Sequence, residues 1–152
     1  MFYQEQEKTV LLNLLSRILP HHNSREFREQ LMAQSSESLR QIARNNLERV
    51  ASIQLMDLGV QPHMMGYAYC RSAICQVLSN PVHQGKRAPA CYGKIATEFN
   101  KTAESVERAM RLAIHNAWEH YPHMKSMLQF QYCPTNLEFI AKVAELIRVQ
   151  YL

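Results

Sequence analysis

Four polar side chains at helical spacing, Glu107, Arg108, Arg111 and His115, are the residues of this 152-residue chain best suited to recognition chemistry. An arginine can donate two hydrogen bonds to guanine O6 and N7, and a glutamate can accept one from cytosine N4. A buried scaffold helix does not need such a face. The spacing therefore indicates a surface that meets a partner, and the edges of DNA bases suit its chemistry.

The segment that carries these residues has the pattern of two helices joined by a short turn. Ala96 is small enough to let two helices cross closely, and Asn100 tolerates the positive φ that such a turn needs. Thr102 is placed to cap the second helix. The side chains expected to face inward from that helix are Val106, Ala109, Met110, Ala113 and Ile114. The pattern predicts a helix-turn-helix at about 90–119, whose second helix, 102–119, enters the major groove of DNA.

Contacts to the DNA backbone are predicted around the same helix. Lys101 and Thr102, together with the N–H groups at the helix start, are suited to hold a phosphate. The other candidates for backbone or flanking contacts are Ser105 and His115 on the outer face, and Lys86 and Arg87 in the preceding loop. The net charge of the chain is +4, and residues 81–125 hold seven Lys or Arg against four Glu. This basic excess suits a partner that carries phosphates.

A purely structural interpretation of the outer face also stays open. Glu104 and Arg108 are four residues apart, as are Glu107 and Arg111, and solvated helices use such i, i+4 pairs routinely. Two helices with a short turn also occur in proteins that never contact DNA. The pattern alone does not separate the two interpretations.

Composition favours an all-α fold. The chain has four Gly and six Pro, and its 47% apolar residues are enough for a core. Helices are predicted at about 5–19, 24–34, 37–58, 62–79, 90–99, 102–119 and 123–130, with a last one capped by Thr135 or Asn136. The residues expected to face inward from 37–58 are Leu39, Ile42, Leu47, Val50, Ile53 and Leu58. Gly59 is placed to close that helix in the left-handed conformation.

Several functional classes are not indicated. The four cysteines and seven histidines show no zinc-site spacing, and no catalytic motif stands out. We therefore expect no metal, no cofactor and no enzymatic activity, and we expect the thiols to be reduced. The sequence shows neither a signal peptide nor a membrane-spanning run, which predicts a cytoplasmic protein that joins the nucleoid when bound to DNA.

Three blocks of the sequence resemble, in the same order, the DNA-binding effector domain of the sporulation stage-zero master regulator family of endospore-forming bacteria. The blocks are DLGVQPHMMGYAYCRSAI, IATEFNKTAESVERAMRLAIHNAW and PTNLEFIAKVAELIR, and the resemblance covers about 47–152. It implies a compact all-helical domain that recognises a short DNA box through a helix-turn-helix. In that family a Val-Glu-Arg stretch and the arginine three residues beyond it face the DNA, which corresponds to Glu107, Arg108 and Arg111.

The chain departs from the family pattern at three points. Members normally carry a phosphorylated N-terminal receiver domain, whereas 1–46 is too short for one, so we expect a helical extension there and do not carry phosphorelay control over to this chain. Glu104 and Ser105 stand where the family often has a small residue and then a cation, which bears on affinity or box preference. The segment between Trp118 and Pro134 is shorter than in typical members.

Two functional interpretations follow for the whole chain. The favoured one is a sequence-specific transcription regulator of sporulation or a related developmental programme, with double-stranded DNA as its partner. The alternative is a receiverless interaction protein that modulates a full-length regulator or RNA polymerase and reads DNA poorly. The leucine stripe of the first helix (Leu11, Leu14, Leu15 and Ile18) either forms a homodimer contact or packs on the chain's own core.

Overall fold

The computed structural model describes residues 2–19, 25–79 and 92–151. These residues form helices and no strands, which confirms the all-α prediction. The helices are α1 (Phe2–Ile18), α2 (Arg25–Met32), α3 (Ser36–Asp57), α4 (Met65–Ser79), α5 (Tyr92–Phe99), α6 (Ala103–His120), α7 (Pro122–Leu128) and α8 (Asn136–Tyr151). Within the described ranges, none of them is long and apolar enough to cross a bilayer.

The main hydrophobic core surrounds α4, which packs against α3, α6 and α8. Its fully buried side chains include Leu55, Ile74, Met110 and Phe139. Burying four such side chains contributes on the order of 1.5–3 kcal/mol each. This core is therefore the scaffold on which α6 is held.

A smaller cluster joins the first three helices. Leu15 of α1 and Leu31 of α2 are buried with Leu39 and Ala43 of α3. From the predicted stripe of the first helix, Leu15 is fully buried, and Leu11 and Leu14 pack at the edge of the cluster. The side chain of Ile18 lies outside the described residues. Within the described residues, Leu15 is therefore covered by the chain's own core, while Leu11 and Leu14 keep part of their surface exposed.

The end of α3 shows one confirmed and one wrong prediction. Gly59 adopts φ +88°, so it is the left-handed residue that closes α3. Ile53 was expected to face inward, but it is 41% exposed. The inward positions run through Val50, Gln54 and Leu58, which leaves Ile53 on the flank of the helix. The next helix begins at Met65 rather than at about residue 62, because a turn precedes it.

Helices α4 and α6 cross at Gly66. A Cβ atom on Gly66 would overlap the backbone oxygen of Ala109 and lie 2.6 Å from the Cβ of Ala113. Since real Cβ atoms do not approach this closely, only glycine permits the two helices to lie so near each other. This crossing sets the depth at which α6 sits in the fold.

Candidate nucleic-acid interface

A three-residue turn joins α5 to α6, with the backbone geometry expected of it. Asn100 has φ +54°, which confirms it as the left-handed turn residue. The N–H of Lys101 donates to the oxygen of Ala96 at 2.8 Å, and this bond closes the end of α5. The Thr102 hydroxyl accepts from the N–H of Ser105 at 3.1 Å, which confirms Thr102 as the cap of α6.

The inner face of α6 is buried in the main core. The residues of this face with 0–1% exposure are Val106, Met110, Ala113, Ile114 and Ala117. Ala109 was also predicted to face inward and is half-buried at the edge of the core. Trp118 is buried, and the Lys125 ammonium lies 4.8 Å from the centre of its ring, in cation–π range. Trp118 therefore belongs to the main core.

The outer face of α6 is exposed, and Arg108 lies at its centre. Glu104 and Arg111 are exposed about one helical turn on either side of it, and His115 is exposed about two turns further along the helix. Among the residues that the structure describes, Arg108 has no hydrogen-bond or ion-pair partner. Its guanidinium therefore presents all of its donors to solvent.

Glu107 is half-buried and makes contacts in two directions. Its side-chain Oε1 accepts a hydrogen bond from Arg111 Nη1 at 2.8 Å. Its backbone oxygen accepts one from Asn136 Nδ2 at 3.0 Å. The second i, i+4 pair suggested by the sequence, Glu104 with Arg108, is not formed in α6, all of which is described.

Asn136 is the residue near this face whose role was not predicted. The sequence suggested Thr135 or Asn136 as the cap of α8, and the Thr135 hydroxyl is the one that accepts from the N–H of Glu138, at 3.2 Å. Asn136 is 6% exposed and turns toward α6 instead. Nothing in the local pattern distinguishes a capping Asn from one that reaches a helix 29 residues away.

Three of the described candidates for backbone contacts lie at the start of α6, and His115 lies in its second half. Lys101, Thr102, Ser105 and His115 are all exposed. The Ser105 hydroxyl donates to the Thr102 backbone oxygen at 2.9 Å, so its proton is engaged inside the cap. The predicted flanking residues Lys86 and Arg87 lie outside the described residues. In the described part of the chain, no group of three His, Cys, Asp or Glu side chains could hold a metal ion.

Comparison of the sequence with known protein families identifies the family to which this surface belongs. Residues 50–147 match the family described as Sporulation initiation factor Spo0A C terminal. The match runs from the end of α3 into α8 and includes the whole α5–turn–α6 unit, while α1 and α2 lie outside it. That C-terminal domain is a DNA-binding domain of a sporulation regulator. Because the match spans more than half of the chain, this protein belongs to the Spo0A C-terminal family of DNA-binding regulatory domains.

Proposed function

We propose that this chain is a sequence-specific transcription regulator that reads the major groove with α6, in sporulation or a related developmental programme. Membership of a DNA-binding family supports the general class. The observation that carries the specific proposal is the division of α6 into two faces. One face is buried in the core, and the other presents Arg108, with Arg111 and His115 nearby, to solvent.

We assign the base contacts to Glu107, Arg108 and Arg111. Arg108 donates both arms of its guanidinium to a guanine, and Glu107 accepts from the amino group of a cytosine. Arg111 contacts a base or a phosphate. These roles require the Glu107–Arg111 ion pair to open or to be shared with the DNA. An i, i+4 pair on a helix surface is worth about 0.3–0.5 kcal/mol, whereas a good base contact is worth about 1–3 kcal/mol, so binding can displace it.

Phosphate contacts lie at the start of α6, along its exposed face and in the flanking loop in this proposal. Lys101 and the hydroxyl of Thr102 lie beside the free N–H groups of the first helical turn, where an anion is favoured. His115 approaches the backbone along the exposed face, and Ser105 donates to a phosphate when its hydroxyl turns away from the Thr102 oxygen. Lys86 and Arg87 contact flanking phosphates. The exposed carboxylate of Glu104 opposes these contacts, which lowers affinity for DNA relative to a neutral residue there.

The two hydrophobic clusters support a division of the chain near residue 47. The cluster of the first three helices includes Leu39 and Ala43, whereas the main core begins with Leu47. We therefore propose that 47–152 is the DNA-binding unit, with a helix-turn-helix at about 90–119, and that 1–46 is a helical extension. This extension includes the first half of α3, on which α1 and α2 pack.

A second function is favoured by Glu104. The negative charge of this residue at the start of α6 suits a chain that modulates a full-length regulator or RNA polymerase with little DNA reading of its own. Co-purification with such a partner, without binding to any duplex, would decide for this alternative.

The substitution Arg108→Ala tests the favoured function. Because Arg108 is exposed, the variant stays folded, and we expect it to lose about 1–3 kcal/mol of binding free energy and to relax preference at one base-pair position. Arg25→Ala is a matched control, since Arg25 is an exposed arginine on α2, paired with Glu29. Full sequence preference in the Arg108→Ala protein, measured over a set of single-base-pair variants, would contradict the proposal.

A further inference from the structure

We infer that Leu112 contacts the 5-methyl group of a thymine and is therefore a further specificity-determining residue of this surface. The inference rests on the proposed role of α6 and adds a base-type preference to it. Leu112 is 57% exposed, and it is the one large hydrophobic side chain exposed on α6, whose residues are all described. The sequence pattern drew attention to the polar residues around it and not to Leu112 itself.

The position of Leu112 places it on the face that Arg108 occupies. Leu112 follows Arg108 by four residues and precedes His115 by three, so the three side chains lie in neighbouring turns of the same face. Four residues advance a helix by about 6 Å. Successive base pairs are about 3.4 Å apart, so the two side chains reach bases within about two base pairs of each other.

The chemistry of Leu112 selects the group it can contact. A leucine side chain has no hydrogen-bond donor or acceptor, so it cannot hold a phosphate or the polar edge of a base. In the major groove the apolar feature of the bases is the methyl group of thymine. A docking face for a protein would need a contiguous apolar patch, whereas the exposed neighbours of Leu112 on this face are Arg108, Arg111 and His115.

The test replaces thymines one at a time. A consensus duplex is selected from a randomised pool with the wild-type protein, and each thymine in turn is replaced by deoxyuridine, which lacks the methyl group. The affinities of the wild type and of Leu112→Ala are then measured on every duplex. Alanine at this exposed position retains helix propensity, which circular dichroism will verify. Val149→Ala is the control, since Val149 is a 77%-exposed apolar residue on α8.

The expected result is a single methyl-sensitive thymine within two base pairs of the guanine that Arg108 reads. Removing its methyl group should weaken wild-type binding about fourfold, the equivalent of one buried methyl, and should leave Leu112→Ala unaffected. A Leu112→Ala protein with the same thymine profile as the wild type would overturn the inference while box-specific binding stands. If selection yields no consensus, both the proposed function and this inference fail.

Discussion

Asn136 links the start of α8 to the second turn of α6, because its side-chain amide donates a 3.0 Å hydrogen bond to the backbone oxygen of Glu107. The donor is buried, with Asn136 only 6% exposed. Glu107 immediately precedes Arg108, so this bond holds the backbone from which the central side chain of the candidate interface projects. A helix outside the α5–turn–α6 unit thus helps to set the position of its outer face.

Removing this hydrogen bond should weaken the fold. We expect Asn136→Ala to lower the free energy of unfolding by about 1–2 kcal/mol, since a buried hydrogen bond is lost and the smaller side chain leaves a cavity. Urea unfolding followed by circular dichroism measures the change. Asn45→Ala is the matched control, because Asn45 is an exposed asparagine on α3 that accepts only a surface bond from Gln41. Equal midpoints for the two variants would show that the Asn136 bond contributes no stability.

Alanine substitutions at two glycines should change the stability of the fold in opposite directions, because one glycine lies at the crossing of α4 and α6 and the other faces open space. Gly66→Ala should destabilise the fold by about 1–3 kcal/mol, because its methyl group would collide with the α6 backbone. Gly93→Ala is the internal control: a Cβ there meets nothing within 4 Å, and alanine should stabilise α5 by about 0.5–1 kcal/mol. Thermal unfolding of both variants separates the predictions. A Gly66→Ala protein as stable as the wild type would contradict the close crossing.

Arg111 should matter little for stability, where it acts through its ion pair with Glu107, and more for DNA binding. A double-mutant cycle of Glu107→Gln and Arg111→Gln should give a coupling of about 0.3–0.5 kcal/mol in unfolding free energy. On DNA, Arg111→Gln should lose about 1 kcal/mol or more, because the guanidinium contact itself is removed. The assignment of Arg111 to the interface would be wrong if its loss changed unfolding but left DNA affinity untouched.

Cys75 should be an unreactive thiol in the folded protein. Burial, reinforced by the negative charge of Glu48, raises the pKa of the Cys75 thiol to about 12. At pH 8 only about one molecule in ten thousand then carries the reactive thiolate, and the fraction rises about tenfold per pH unit until the pKa is reached. Iodoacetamide labelling read by peptide mass spectrometry should therefore be slow at Cys75 in native protein and fast in guanidinium. Equal labelling rates in the two conditions would contradict this.

Residues that act through their own backbone preference were predictable from the sequence. Asn100 and Gly59 adopt the left-handed conformations expected of them, and Thr102 caps α6 as its position before an apolar stripe indicates. These outcomes depend on a few neighbouring residues. For that reason the turn and the helix cap that position the candidate interface could be predicted from the local sequence pattern.

Residues that act through distant contacts were not predictable in this way. The role of Gly66 depends on Ala109, 43 positions along the chain, and that of Asn136 depends on Glu107. Ile53 was assigned to the core because it is apolar, but the inward position beside it is occupied by the amide of Gln54, which is 4% exposed. Side-chain type alone does not specify which helix will lie opposite.

Salt-dependent binding to DNA tests the central claim most directly. Fluorescence anisotropy would compare a duplex carrying the family's DNA box with a scrambled duplex of the same composition, at several salt concentrations. The proposed contacts of Lys86, Arg87, Lys101 and Arg111 predict tight, box-dependent binding. The logarithm of the association constant should fall linearly with the logarithm of the salt concentration, with a slope between about −2 and −4. Equal and weak binding to both duplexes would contradict sequence reading by α6.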